Sequence, residues 1–84
     1  MISKMVAIEF QEGLHMRPAG ALVAACRPFD ADSVMRFKGN NINLKSVLGV
    51  VGAQVRYGDV VEIACDGPEA NEALAALLSV LSPK

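Results

Sequence analysis

Gly13-Leu14-His15-Met16-Arg17-Pro18-Ala19 places the chain's one histidine, a guanidinium and a proline at the mouth of an apolar run. From Ala19 the apolar positions Ala19, Leu22, Val23 and Cys26 recur at i, i+3, i+4 and i+7, the spacing that lines one face of a helix. His15 is therefore expected at or just before a helix start. First-turn N–H groups have no intrahelical partner, and the aligned peptide dipoles leave about half a positive charge there, which favours an anion beside His15. Proline in the first turn sacrifices no hydrogen bond, which suits a start near Met16 with the N–H groups of Met16 and Arg17 free. The residue before a proline is biased away from the helical region, which suits a start at Pro18 instead. Both starts leave His15 near the terminus.

The cluster joins a nucleophilic imidazole to an anion-stabilising pocket made of the backbone N–H groups of Met16 and Arg17 and the Arg17 guanidinium, whose planar fork matches phosphate oxygens. Its simplest use is a phosphorylated histidine. Imidazole attacks phosphorus readily, and the resulting phosphoramidate hands its phosphoryl group to a further nucleophile, so His15 reads as a carrier. The bland alternative is a surface histidine at a helix end. Glu12 could orient the ring, but one acid beside one histidine supplies no nucleophile, oxyanion site or metal set, and hydrolysis is poorly supported.

Outward from this stretch, Lys4 to Phe10 alternates as a first strand, with Val6, Ile8 and Phe10 on one side. Gln11-Glu12-Gly13 breaks it, and the first helix then runs until Pro28 forbids its continuation. Ala31 to Phe37 reads as a second strand with Ser33, Met35 and Phe37 on one face. Lys38-Gly39-Asn40-Asn41 supplies a tight hairpin, and Ile42 and Leu44 alternate with Asn43 in a short third strand. Ser46, a favoured N-cap, precedes a short second helix from Val47 to Val51, with Gly52 marking its end. Val47, Leu48 and Val51 exceed what one face of so short an element can bury, so part of this surface is read as exposed for a partner, with plain core packing as the alternative. Tyr57-Gly58-Asp59 is a turn, and Val61, Ile63 and Cys65 alternate in a fourth strand. Gly67-Pro68 opens a last helix whose stripe is Ala70, Ala73, Leu74, Leu77, Leu78 and Leu81. The order is β-α-β-β-α-β-α, an α+β fold.

Eighty-four residues suffice for one domain, residues 1–84, that buries about 60% of its extended surface, and the 52% apolar content can supply the core. With eight basic and nine acidic side chains the formal charge is −1, which advertises neither nucleic-acid nor anionic-membrane binding. The apolar stretches are far shorter than the roughly 18 residues of a spanning helix, and no secretory signal is visible, so a cytoplasmic chain without membrane insertion is expected. Cys26 and Cys65 lie in apolar patterns with no CxxC unit and no second histidine. They read as buried thiols rather than metal ligands, with a disulfide between them left open by spacing alone. No metal or cofactor is called for.

Two motifs, Gly13 to Ala19 and Leu44-Lys45-Ser46-Val47-Leu48-Gly49-Val50, resemble those of HPr, the histidine-containing phosphocarrier family of the bacterial phosphoenolpyruvate-dependent sugar phosphotransferase system. The resemblance runs from Lys4 to Leu81. It implies an open-faced two-layer β-sandwich, a four-stranded antiparallel sheet in the order 1-4-2-3 with three helices on one face. It also implies that His15 accepts a phosphoryl group at Nδ1 from phospho-enzyme I and passes it to a histidine of a sugar-specific A component, with Arg17 contacting the phosphate. Such a chain is a monomeric phosphoryl carrier with a covalent intermediate rather than a stand-alone enzyme. Ser46 matches the family's regulatory serine, the substrate of an HPr kinase/phosphorylase, and Met16, Val47, Leu48 and Val51 fall on the partner-binding face. Glu12 stands where a small neutral polar residue is usual, and Met16 replaces a small residue. These departures keep two alternatives in view: a nitrogen-related or other specialised phosphorelay, and an interaction module that is not phosphorylated.

Overall fold

The computed structural model describes residues 1–82, and its core is built where alternating strands meet the striped helices. The elements are β1 (Ile2–Ala7), α1 (Met16–Cys26), β2 (Asp32–Phe37), β3 (Asn40–Asn43), α2 (Val47–Gly52), β4 (Val60–Asp66) and α3 (Ala70–Leu81). All strands pair antiparallel in the order β1-β4-β2-β3, as the resemblance implied. The register sets Val6 opposite Val61, Met35 opposite both Ile63 and Ile42, and Ser33 opposite Cys65. Since alternate side chains share a face, these residues all lie on the face beneath the helices. Val61, Ile63, Cys65, Ser33 and Met35 are all buried, and Leu22 and Cys26 of α1, Val50 of α2 and Ala73, Leu77 and Leu81 of α3 close over them.

The opposite face of the sheet carries no helix. There Arg36 and Glu62 pair at 3.3 Å, and Met5 and Val60 are exposed. β4 is central, which explains why Ala64 is buried even on this side. The edges are β1 and the four-residue β3, the latter almost entirely asparagine.

Local chemistry moves some boundaries away from the sequence expectation. β1 ends at Ala7, because from Ile8 the chain bonds to the turn before β4: the Ile8 N–H donates to the Asp59 carbonyl at 2.8 Å, and the Gly58 N–H donates to the Ile8 carbonyl at 2.8 Å. The β2–β3 hairpin turns on Lys38 and Gly39, both at positive φ, so that Asn40 already belongs to the strand. A left-handed lysine is unusual, and its ammonium lies 5.2 Å from the Phe37 ring centroid, a cation–π contact that offsets part of the strain. Gly52 is the last residue of α2 rather than its cap. Ala53 follows in a helical conformation and Gln54 makes the left-handed turn at φ 56°. Glu69 is the N-cap of α3 but makes no side-chain capping bond; its carboxylate accepts the Asp30 N–H at 2.7 Å and ties the α1–β2 loop to the head of α3.

Both cysteines are free and buried. The Cys26 thiol lies 3.4 Å from the Leu44 carbonyl, and Cys65 meets the Ser33 hydroxyl at 3.6 Å, which satisfies that buried polar group. Burial pushes the Cys26 thiol above its ordinary value of 9.0, because a thiolate would be desolvated there, although Ser33 and Lys45 partly oppose the shift.

A folded-state value above the unfolded one means that the native protein holds its proton longer. The contribution to stability is complete below the unfolded value and is lost as pH rises towards the folded one. Thermal unfolding from about pH 8 to about pH 10 is expected to show falling stability, and Cys26→Ala is expected to flatten that slope.

Candidate functional site

Gly13 determines how His15 is delivered. Its φ of 72° lies in the left-handed region, and a Cβ there would collide with the Val55 carbonyl and come within 3.0 Å of the Arg56 Cα. Without that side chain the backbone runs against the α2–β4 loop: the Gly13 N–H donates to the Phe10 carbonyl at 2.8 Å and the Leu14 N–H to the Val55 carbonyl at 3.0 Å. Leu14 is buried, so the residue before His15 is anchored in the core while the imidazole is exposed.

His15 is the N-cap of α1, with extended backbone (φ −77°, ψ −167°), and its side chain makes no capping bond. Its carbonyl accepts the Ala19 N–H at 2.9 Å, the first bond of the helix. The helix therefore begins at Met16, and Arg17 adopts the helical conformation despite the proline after it. Pro18 occupies the third helical position, where its missing N–H leaves no carbonyl unsatisfied. The N–H groups of Met16 and Arg17 have no partner within the helix, and no acidic residue sits in the first turn to occupy them. The helix end is thus electropositive and open beside an uncommitted imidazole.

His15 lies between two open clefts. One, of about 770 Å³, is lined by Glu9, Phe10, Glu12, Met16, Arg17 and Pro18, among others. The second, of about 360 Å³, is lined by Glu12, Leu14, Val51, Gln54, Val55 and Arg56. Arg17 shares the first cleft with His15, and Glu12 borders both. Arg56 was not singled out in the sequence: it is 41 positions from His15, and neither periodicity nor motif spacing links them. The available signal was indirect, a glycine that must pack against something.

The second motif folds as expected at its start. The Ser46 hydroxyl accepts the Gly49 N–H at 3.1 Å, and the Ser46 carbonyl accepts the Val50 N–H at 3.1 Å, so Ser46 caps α2. Of the candidate docking residues, Leu48 is 80% exposed and Met16 61% exposed, whereas Val47 and Val51 are half-buried against the core. Val50, not singled out in the sequence, is the residue that anchors α2.

Among the described residues no group of three or more potential metal ligands occurs, and no helix is long and apolar enough to cross a membrane.

Comparison with known proteins agrees with this geometry. The family model described as the PTS HPr component phosphorylation site matches residues 2–82. The phosphocarrier protein HPr from Bacillus anthracis superposes with a TM-score of 0.89 at 31% identity, covering 96% of both chains. HPr-C-His from Thermoanaerobacter tengcongensis gives a TM-score of 0.91 at 28% identity, over 96% of this chain and 91% of that one. A curated relative is the phosphoryl donor subunit DhaM of the phosphoenolpyruvate-dependent dihydroxyacetone kinase of Escherichia coli, 39% identical over 74 residues. That match takes in 88% of this chain but only 16% of the relative's length. A family model spanning nearly the whole chain, on a β-α-β-β-α-β-α sheet in the order 1-4-2-3, makes this protein a member of the HPr phosphocarrier family.

Proposed function

We propose that His15 is the phosphoryl-carrying residue of a phosphoenolpyruvate-dependent relay. The observation that carries this reading is an exposed, uncommitted imidazole at the open N-terminus of α1, in a chain whose family is described by its phosphorylation site. The donor is phosphohistidine on enzyme I. A neutral His15 attacks through the lone pair of one ring nitrogen, Nδ1 in the family, and keeps its proton on the other. The new N–P bond forms as the donor's N–P bond breaks, and a donor imidazole protonated at its second nitrogen leaves neutral. The Met16 and Arg17 N–H groups and the Arg17 guanidinium hold the phosphoryl oxygens. In the family's sugar relay the acceptor is a histidine of an A component, reached by a second exchange of the same kind in which phosphorylated His15 is the donor. The chain acts as one cytoplasmic, monomeric unit, engaging each partner briefly through Met16 and Leu48, with Val47 and Val51 shaping the surface beneath.

Ser46 is read as a regulatory position for an HPr kinase/phosphorylase. A phosphoserine at this cap brings nearly two negative charges to the start of α2 and beside Leu48, where an acidic partner would be repelled.

A second reading concerns the acceptor. The 39% identity with a donor subunit of a small-molecule kinase, together with Glu12 and Met16 at the mouth of the site, favours a specialised relay over sugar import.

Incubation with phosphoenolpyruvate and a matched enzyme I is expected to add one acid-labile phosphoryl group by intact mass, and His15→Ala to add none. Arg17→Ala is expected to slow that transfer about tenfold or more in single-turnover kinetics, since it removes an oriented donor to developing charge. For the acceptor, the phosphorylated protein is expected to discharge faster to a dihydroxyacetone kinase than to sugar-specific A components. Met16→Ala is expected to shift that ratio towards the latter, and unchanged selectivity would remove Met16 as its determinant.

A further inference from the structure

A carboxylate in both clefts around His15 poses an electrostatic problem. Glu9 and Glu12 line the larger cleft opposite one guanidinium, Arg17. With those groups alone the surroundings of His15 would carry more negative than positive side-chain charge, an unfavourable place for a phosphoryl dianion. The second cleft supplies a further cation. Arg56 lines it together with His15 and Glu12, and its guanidinium makes no ion pair or hydrogen bond among the described residues.

The backbone holds Arg56 in place from both sides. Its N–H donates to the Asp59 carboxylate at 2.9 Å, and its carbonyl accepts the Asp59 N–H at 3.0 Å. The residue before it, Val55, accepts the Leu14 N–H, so Arg56 is joined to the His15 segment through one bond and the close approach of Gly13. Asp59 spends its carboxylate on that main-chain N–H, which fixes the loop and leaves the guanidinium uncommitted. An arginine anchored at its backbone, free at its tip and bordering the same cleft as His15 is arranged to meet a ligand of the imidazole.

We propose that Arg56 is a second phosphate-contacting residue, which holds the phosphoryl group of phosphorylated His15 from the second cleft while Arg17 holds it from the first. This rests on the carrier reading above. The two guanidiniums then flank the dianion, and the charge of Glu12, which borders both clefts, is offset from both sides.

The test uses the full chain phosphorylated by phosphoenolpyruvate and enzyme I, with the phosphoryl group titrated by its ³¹P chemical shift. A nearby cation favours the dianion and lowers the second ionisation of the group, so removing that cation raises it. Arg56→Gln is expected to raise this ionisation by about half a pH unit or more, and Arg56→Lys to restore part of the shift. The bonds that hold the loop are made by the main chain of residue 56, so the amide spectrum of the unphosphorylated variant is expected to match the parent away from this loop. A parent protein that takes up no phosphoryl group overturns the carrier reading, and this one with it. A parent that is phosphorylated, with an Arg56→Gln titration unmoved, overturns the role of Arg56 alone. That holds even if the variant exchanges more slowly with one partner, since such an effect would mark a docking residue instead.

Discussion

The hydrogen bond from the Leu14 N–H to the Val55 carbonyl is the constraint on which the His15 environment depends. It joins the end of the first loop to the loop before β4, and it forms only because Gly13, at positive φ, has no side chain to keep the two backbones apart. Around that bond the buried Leu14 faces inward and His15 faces out, with the α1 N-terminus on one side and the turn carrying Arg56 on the other. For the proposed carrier role, His15 has to be exposed to its partners, yet its surroundings must be fixed before a ligand arrives. Anchoring the backbone one residue away meets both requirements.

The helices α1 and α2 are held in different ways. α1 is long enough to present an open N-terminus and is held by Ala19, Leu22, Val23 and Cys26. α2 has six residues, of which Val50 alone is fully buried, so the Ser46 cap and the contacts of Val47 and Val51 do much of the work of holding it. That leaves Leu48, the most exposed large apolar side chain of the described residues, raised on a small and lightly anchored element. Met16, at the start of α1, is likewise an exposed large apolar side chain.

Most of the architecture was legible in the sequence because each element has a period and a punctuation mark. The stripe from Ala19 to Cys26, the alternation through Val61, Ile63 and Cys65, and the serine before Val47 each reflect a local rule, and each folded accordingly. The boundaries that shifted did so through interactions between distant segments. β1 stops where Ile8 turns to bond with Gly58 and Asp59, and the Glu69 side chain, at the N-cap of α3, accepts the distant Asp30 N–H rather than capping its own helix. The candidate site divides the same way. His15, Arg17 and the open N–H groups are neighbours in sequence and were readable, whereas Arg56 reaches the site through a loop packing that no local pattern encodes. Gln54 in a left-handed turn, without a glycine to signal it, is part of the same loop and was equally silent.

The pairing of β1 with β4 has a consequence for the order in which the molecule comes into being. The first strand lies at the edge of the sheet and, among the described residues, pairs with residues 60–66 alone, while the loop that delivers His15 closes on Val55. Contacts of such long sequence separation form after the intervening chain has lost much of its freedom, so they are late and cooperative. During synthesis, the segment bearing the histidine emerges from the ribosome before β4 and stays without its full surroundings until β4 has followed it. A chain interrupted before that point lacks both the partner of β1 and the loop that Leu14 closes on, so the setting of His15 is complete only when the whole sheet has been made.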